Sequence, residues 1–115
     1  MPPVLYGIRS CDTVRNARRW LDEHGYSFEY LDLRDDDLGA DTVRDWIERA
    51  GWERVINRRS TSWKALAPET RESMDAESAL AAVMDQPTLV KRPVLVRDQV
   101  LEFGFSPQRY ATLFS

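Results

Sequence analysis

Three features of the amino-acid sequence predict an α/β fold with a mixed sheet and an all-helical insertion. The chain opens with a short apolar run, Val4 to Ile8, followed by helical spacing and then by period-two alternation at Tyr26, Phe28 and Tyr30. Its middle carries helix-type apolar spacing punctuated by Gly39, Gly51, Pro68 and Pro87. Its end holds two β-branched and aromatic runs, Val94-Leu95-Val96 and Val100-Leu101-Glu102-Phe103, set around Arg97-Asp98-Gln99. The predicted order is strand, helix, strand, several helices, antiparallel hairpin, helix.

Each element has a physical reason. Val4-Leu5-Tyr6-Gly7-Ile8 reads as a buried strand, and the Arg9-Ser10-Cys11 turn leads into a helix running to about His24. Val14, Ala17, Leu21 and His24 share one face of that helix, and Gly25 supplies its C-terminal cap. The following Tyr26 to Leu31 strand should pair in parallel with the first through a right-handed crossover. Asp32 to Ala40, with the acidic run Asp35-Asp36-Asp37, reads as a solvated polar loop. Asp41 is expected to cap a helix with Val43, Trp46, Ile47 and Ala50 on one face, closed by Gly51. Trp52, Val55 and Ile56 continue the apolar surface; Asn57 to Ser62 form a polar loop, and Trp63 with Leu66 anchors a short turn. Pro68 to Met74 carry no decisive pattern. From Asp75 an alanine-rich helix runs until Gln86-Pro87 stops it. The hairpin turn lacks glycine, and Ser106-Pro107 is a cap followed by proline at the first position of a last helix carrying Tyr110, Leu113 and Phe114.

Composition narrows the function classes. The 115 residues are 43% hydrophobic and 30% charged, which suits one soluble domain with a core of its own. A formal charge of −3 gives no general attraction to nucleic acid, so no nucleic-acid partner is expected. No apolar run approaches the roughly 20 residues of a membrane span, and the N-terminus lacks a signal-peptide pattern; a cytoplasmic monomer with no membrane partner is expected. One cysteine, Cys11, and one histidine, His24, allow neither an internal disulfide nor a Cys/His zinc site, so no metal is expected.

Cys11 lies where strand gives way to helix, beside Arg9, Ser10 and Asp12. Unpaired backbone N–H groups and the positive end of the helix dipole favour an anion there. A free thiol has a pKa of about 8.5, which such a position with cationic neighbours lowers, making the nucleophilic thiolate more abundant. The bland alternative is a buried cysteine filling space, less expected at so polar a turn. Asp12 acts against a neighbouring thiolate. Thr13 either donates to sulfur or caps the first turn, and Asn16 is expected to tie the loop together. Val14 occupies the second position of a Cys-x-x-Cys motif, so a second thiol must come from outside.

The element order is the thioredoxin-like arrangement, and the motifs carry a family resemblance. Cys11-Asp12-Thr13-Val14-Arg15-Asn16-Ala17 resembles the Cys-x-Thr-x-Arg-Asn loop of the arsenate-reductase-like family, which includes the Spx regulators. Lys91-Arg92-Pro93-Val94 resembles the Arg-Pro segment before that family's third strand, where the proline is cis. Asn57 to Leu66 and Leu101 to Ser106 look most like a small bacterial subfamily, the YffB type, with a suspected glutathione link. The likeness covers nearly the whole chain. It implies one domain, with a thioredoxin-like core of about 1–34 and 87–115 and a helical insertion of about 40–86.

The resemblance implies Cys11 as nucleophile, Arg15, Arg59 and Arg92 as substrate- or anion-binding residues, and Ser10, Thr13, Asn16 and Pro93 as loop and backbone support. Arg92, and Arg58 with Arg59, have a plainer alternative as solvated charges, and Trp46, Trp52 and Trp63 are expected to pack the insertion. The activity implied first is a glutathione-linked thiol oxidoreductase, with no bound cofactor, glutathione as co-substrate and glutaredoxin as a possible partner. A glutaredoxin-coupled arsenate reductase is the nearest alternative. That type carries a histidine four residues before the cysteine, a serine three after it and an arginine at the last strand's exit, where this chain has Gly7, Val14 and Gly104. Losing one charge-assisted bond to an oxyanion costs about 1.5–3 kcal/mol, roughly ten-fold or more in affinity. A third alternative is a non-enzymatic, RNA-polymerase-binding regulator of the Spx type, whose usual Cys-x-x-Cys switch is missing at Val14.

Overall fold

The computed structural model describes residues 2–36 and 38–115. The chain runs β1 (Val4–Gly7), α1 (Asp12–Glu23), β2 (Glu29–Asp32), α2 (Ala40–Ala50), α3 (Trp52–Val55), α4 (Thr61–Lys64), α5 (Pro68–Glu72), α6 (Ala76–Asp85), a 3-10 turn at Pro87–Leu89, β3 (Val94–Arg97), β4 (Val100–Phe103) and α7 (Pro107–Leu113). These elements form two compact units: the described residues up to 36 together with 92–115, and the described residues between them.

The first unit holds a four-stranded sheet in the order β2-β1-β3-β4. β1 pairs in parallel with β2, opposing Val4 to Glu29 and Gly7 to Asp32. β3 runs antiparallel to both β1 and β4. The two strand–helix passages therefore meet in one sheet through β1 and β3. Leu5, Ala17, Leu21, Leu95, Tyr110 and Phe114 make the core between sheet and helices, and Trp20, Tyr26, Phe28, Tyr30, Phe105 and Leu113 pack around it. Burial of each large apolar side chain in such a cluster contributes about 1.5–3 kcal/mol.

The second strand is shorter than its alternation suggested. Gly25 takes φ +74° and the Tyr26 N–H returns to the Leu21 carbonyl, so the chain is still leaving α1 at Tyr26. Tyr26 and Phe28 bury their rings against the core cluster without joining the ladder. At the hairpin, Asp98 adopts φ +51°, a left-handed conformation that aspartate tolerates better than most residues, which is how a turn without glycine closes.

The second unit is helical. Val43, Trp46, Ile47, Val55, Ile56, Ala79, Val83, Leu89 and Val90 are its buried residues, with Met74 beside them. Trp46 is a core residue, as expected, and Trp52 stacks on Trp63 with ring centroids 6.3 Å apart. Helix α2 begins one residue before the expected cap: Gly39 is the N-cap, and Asp41 lies in the first turn paired with Arg44. The undecided Pro68 to Met74 segment contains α5, started by Pro68. Asp75 and Ser78 form a reciprocal capping box at α6. An antiparallel bridge between Ile56 and Val90 ties the residue after α3 to the unit's C-terminal end.

Candidate functional site

Cys11 is the N-cap of α1, with extended backbone angles (φ −85°, ψ 124°), and is partly exposed. Its N–H donates to the Ile8 carbonyl at 3.0 Å, closing the Ile8–Cys11 turn, and its carbonyl accepts from Arg15 N at 3.0 Å, starting the helix. Among the described residues no side chain caps this end of α1. The first-turn N–H groups that serine or aspartate would ordinarily satisfy are therefore left for an anion near the thiol.

The turn is held from below by a carboxylate that sequence reasoning missed. Asp32, expected in a solvated loop, is the last residue of β2 and is 2% exposed. Its Oδ2 accepts from Arg9 N at 3.1 Å, and its Oδ1 from Arg34 N at 2.8 Å and Asp35 N at 3.2 Å. Tyr30 Oη also donates to it at 3.4 Å, and Asp32 N donates to Asp36 Oδ2 at 2.6 Å. Burial pushes the Asp32 carboxyl pKa up, but the three backbone donors and the Arg9 charge outweigh it and hold the carboxyl below the usual aspartate value. Desolvation foremost, then the Asp32 charge, raises the Tyr30 hydroxyl. One buried anion thus joins the turn leading to Cys11 with the turn leaving β2. The remaining member of the acidic run, Asp37, lies outside the described residues. Exposed Arg9 pairs with Asp35 at 3.1 Å, and Arg34 Nη2 donates to Ser10 Oγ at 3.3 Å. An acid set between Leu31 and Leu33 at a strand's C-terminal end was the available signal for Asp32.

Gly7 and Val14 are coupled. Val14 is fully buried, and a Cβ added at Gly7 would lie 2.6 Å and 2.8 Å from its two methyl carbons. The valine fills the space that any side chain at position 7 would need. Gly104 has φ +86°, a left-handed conformation that favours glycine over any residue with a side chain.

Ser10 supports the turn through Arg34. Arg15 forms an exposed ion pair with Asp12, so its charge is already matched beside the thiol. Thr13 and Asn16 are exposed, and among the described residues neither side chain hydrogen-bonds. Asn16 does not tie the loop together, and Thr13 neither caps the turn nor donates to sulfur. Both face a groove along α1. The Arg92–Pro93 peptide is cis, Pro93 is buried, and its carbonyl accepts from Gly104 N at 2.9 Å; Arg92 is half-buried in the same unit. Arg59 belongs to the helical unit, exposed, with its N–H on Asn57 Oδ1 at 3.0 Å. His24 caps the other end of α1, its ring stacked on Trp20.

A mixed four-stranded sheet with a cysteine at the entrance of its first helix is the arrangement of a thioredoxin-like protein. The ArsC family model matches residues 6–113, and the chain belongs to the ArsC family. It is 34% identical over 112 residues to an uncharacterized protein of Haemophilus influenzae, covering 97% of this chain and 98% of that one. It is 27% identical to the global transcriptional regulator Spx of Bacillus subtilis, over 90% of this chain and 79% of the regulator. Among solved structures, the YFFB protein superposes with a TM-score of 0.92 at 34% identity, covering 98% of this chain and 99% of that one. An arsenate reductase (ArsC) related protein from Brucella melitensis gives 0.82 at 38% identity, covering 99% and 95%. No described helix is long and apolar enough to cross a membrane.

Proposed function

We propose that this protein is a glutathione-linked thiol oxidoreductase with Cys11 as its single nucleophile. The observation that carries this reading is Cys11 itself: partly exposed, the N-cap of a helix with no side-chain capping bond among the described residues, in a chain with no second cysteine. The Cys11 thiolate attacks the glutathione sulfur of a glutathionylated partner. The partner's S–S bond breaks, its sulfur leaves as a thiolate and takes a proton, and Cys11 is oxidised to a mixed disulfide with glutathione. A second glutathione thiolate then attacks that disulfide, releasing oxidised glutathione and restoring the Cys11 thiolate. Glutaredoxin can take the place of the second glutathione. Arg15 and Arg92 are the residues of the sheet-bearing unit proposed to meet the substrate's carboxylates, Arg59 is proposed from the family resemblance alone, and a reducing cytoplasm is the setting in which the cycle runs.

Arsenate is the less suitable substrate for a structural reason. Val14 fills the space beside Gly7, and Gly104 takes φ +86°, so none of the three positions where the resemblance implies a histidine, a serine and an arginine offers an oxyanion a polar side chain. The test is turnover of a glutathionylated peptide in excess glutathione, with oxidised glutathione measured, beside the same assay with arsenate and glutaredoxin. The expected result is peptide reduction that Cys11→Ser abolishes, and no arsenate turnover. Arsenate reduction without peptide reduction would overturn the proposal.

A further inference from the structure

A groove of about 460 Å³ runs along α1 from the first turn, lined by Thr13 and Asn16, to Arg19, Trp20 and Glu23, with Phe105 on its other wall. It begins two residues from Cys11. Ser106 Oγ accepts from Arg109 N at 3.1 Å, but the polar side chains on the α1 wall are uncommitted: among the described residues Arg19 and Glu23 have no ion-pair partner, although they lie four apart on one helix. Trp20, stacked between His24 and Tyr26 and edge-on to buried Tyr110, gives it a fixed apolar floor. Resting on the proposed glutathione linkage, the geometry points to this groove as the subsite for the γ-glutamyl arm of glutathione. Arg19 takes the α-carboxylate and Glu23 the α-ammonium.

Length and chemistry agree on this occupant. Arg19 is about 12 Å from Cys11 along the helix axis. A mixed disulfide separates its two α-carbons by about 5.5–6 Å. A γ-linked residue, two carbons longer than the ordinary 3.8 Å step, extends about 6 Å further. The zwitterionic end then arrives between one cation and one anion. The amide that joins it to the cysteine passes Asn16, whose side chain offers both a donor and an acceptor. The glycine arm of glutathione carries a carboxylate but no ammonium, so Glu23 would repel what Arg19 attracts.

The chemical step is exchange: Cys11 thiolate attacks one sulfur of a symmetrical disulfide, a new S–S bond forms, and the other half leaves as a thiolate. Stopped-flow or quenched rates at Cys11, read by intact mass, are compared for oxidised glutathione, the disulfide of γ-glutamylcysteine, the disulfide of cysteinylglycine and hydroxyethyl disulfide. Wild type should react with the two γ-glutamyl disulfides about three- to five-fold or more faster, relative to the other two, the size expected of an exposed charge contact. Arg19→Ala and Glu23→Gln should each erase most of that preference and leave the hydroxyethyl disulfide rate unchanged. Equal rates for the γ-glutamyl and cysteinylglycine disulfides in wild type, or a preference that survives in both variants, would overturn the subsite while leaving the oxidoreductase proposal standing. No transfer from any of the four would overturn that proposal, and the subsite with it.

Discussion

On its β2 flank the entrance of α1 rests on a buried carboxylate, three backbone donors and two surface arginines, whereas on its α7 flank Thr13, Asn16, Arg19 and Glu23 line an open groove with no side-chain partners among the described residues. The two flanks share one helix and one cysteine. Hydrogen-bonding capacity is spent internally where the turn must keep its shape and is left unspent where a ligand can use it. A nucleophile needs both: a fixed sulfur and an accessible approach.

The largest effect should come from breaking the fixed flank. Asp32→Ala removes the acceptor for three buried or half-buried N–H groups, and chemical denaturation should show a loss of about 2–4 kcal/mol. Because the folded carboxyl is held below its usual value, the stability it contributes is present above about pH 4 and is lost as pH falls through its folded pKa. The stability gap between wild type and Asp32→Asn should therefore narrow on acidification. A gap that widens would show that Asp32 is not ionised in the folded protein. Asp75, lowered by its capping bonds to Ser78, titrates in both proteins and cancels from the comparison.

Next in size is the packing under the turn. Gly7→Ala forces a methyl group into Val14 and should cost about 1–3 kcal/mol. Adding Val14→Ala should make the double variant more stable than the sum of the two single losses, measured by a double-mutant cycle. Strict additivity would refute the coupling.

The open flank should respond weakly in stability. Tyr110 lies behind the groove, packed edge-on to Phe105 with centroids 4.7 Å apart, and its buried hydroxyl has no hydrogen-bond partner among the described residues. Burial, with a contribution from Glu102, raises that hydroxyl's pKa far above the usual tyrosine value. Tyr110→Phe should leave stability unchanged or raise it by up to about 1 kcal/mol in thermal unfolding, since it removes an unsatisfied polar atom. A clear loss would reveal a partner for the hydroxyl. Arg19→Ala should change stability by less than about 0.5 kcal/mol, which separates ligand effects from folding effects in the groove.

The same contrast explains what could be read from the sequence. Periodicity located α1, the hairpin and the last helix because each has one buried face, and Cys11 stood out because a lone thiol sits between a strand pattern and a helix pattern. Asp32 was hidden because an acid beside Arg34-Asp35-Asp36 looks like part of a solvated run; only the parallel pairing of Gly7 with Asp32 brings its carboxylate under the turn. The Gly7–Val14 contact was equally out of reach. Each residue read alone as a departure from a motif, and only packing shows that they are one substitution in space. Thr13 and Asn16 were picked for the loop's internal bonds, but their helical spacing carries them onto the groove.

The proposed role of Cys11 as a one-thiol nucleophile that exchanges with glutathione is tested most directly by intact-protein mass spectrometry. Folded protein would be incubated with oxidised glutathione, digested to locate the adduct, and then treated with excess reduced glutathione. The expected result is one glutathione per chain, on Cys11, removed by the reduced form. A folded protein that takes up no glutathione, while the unfolded chain under the same conditions does, would contradict it.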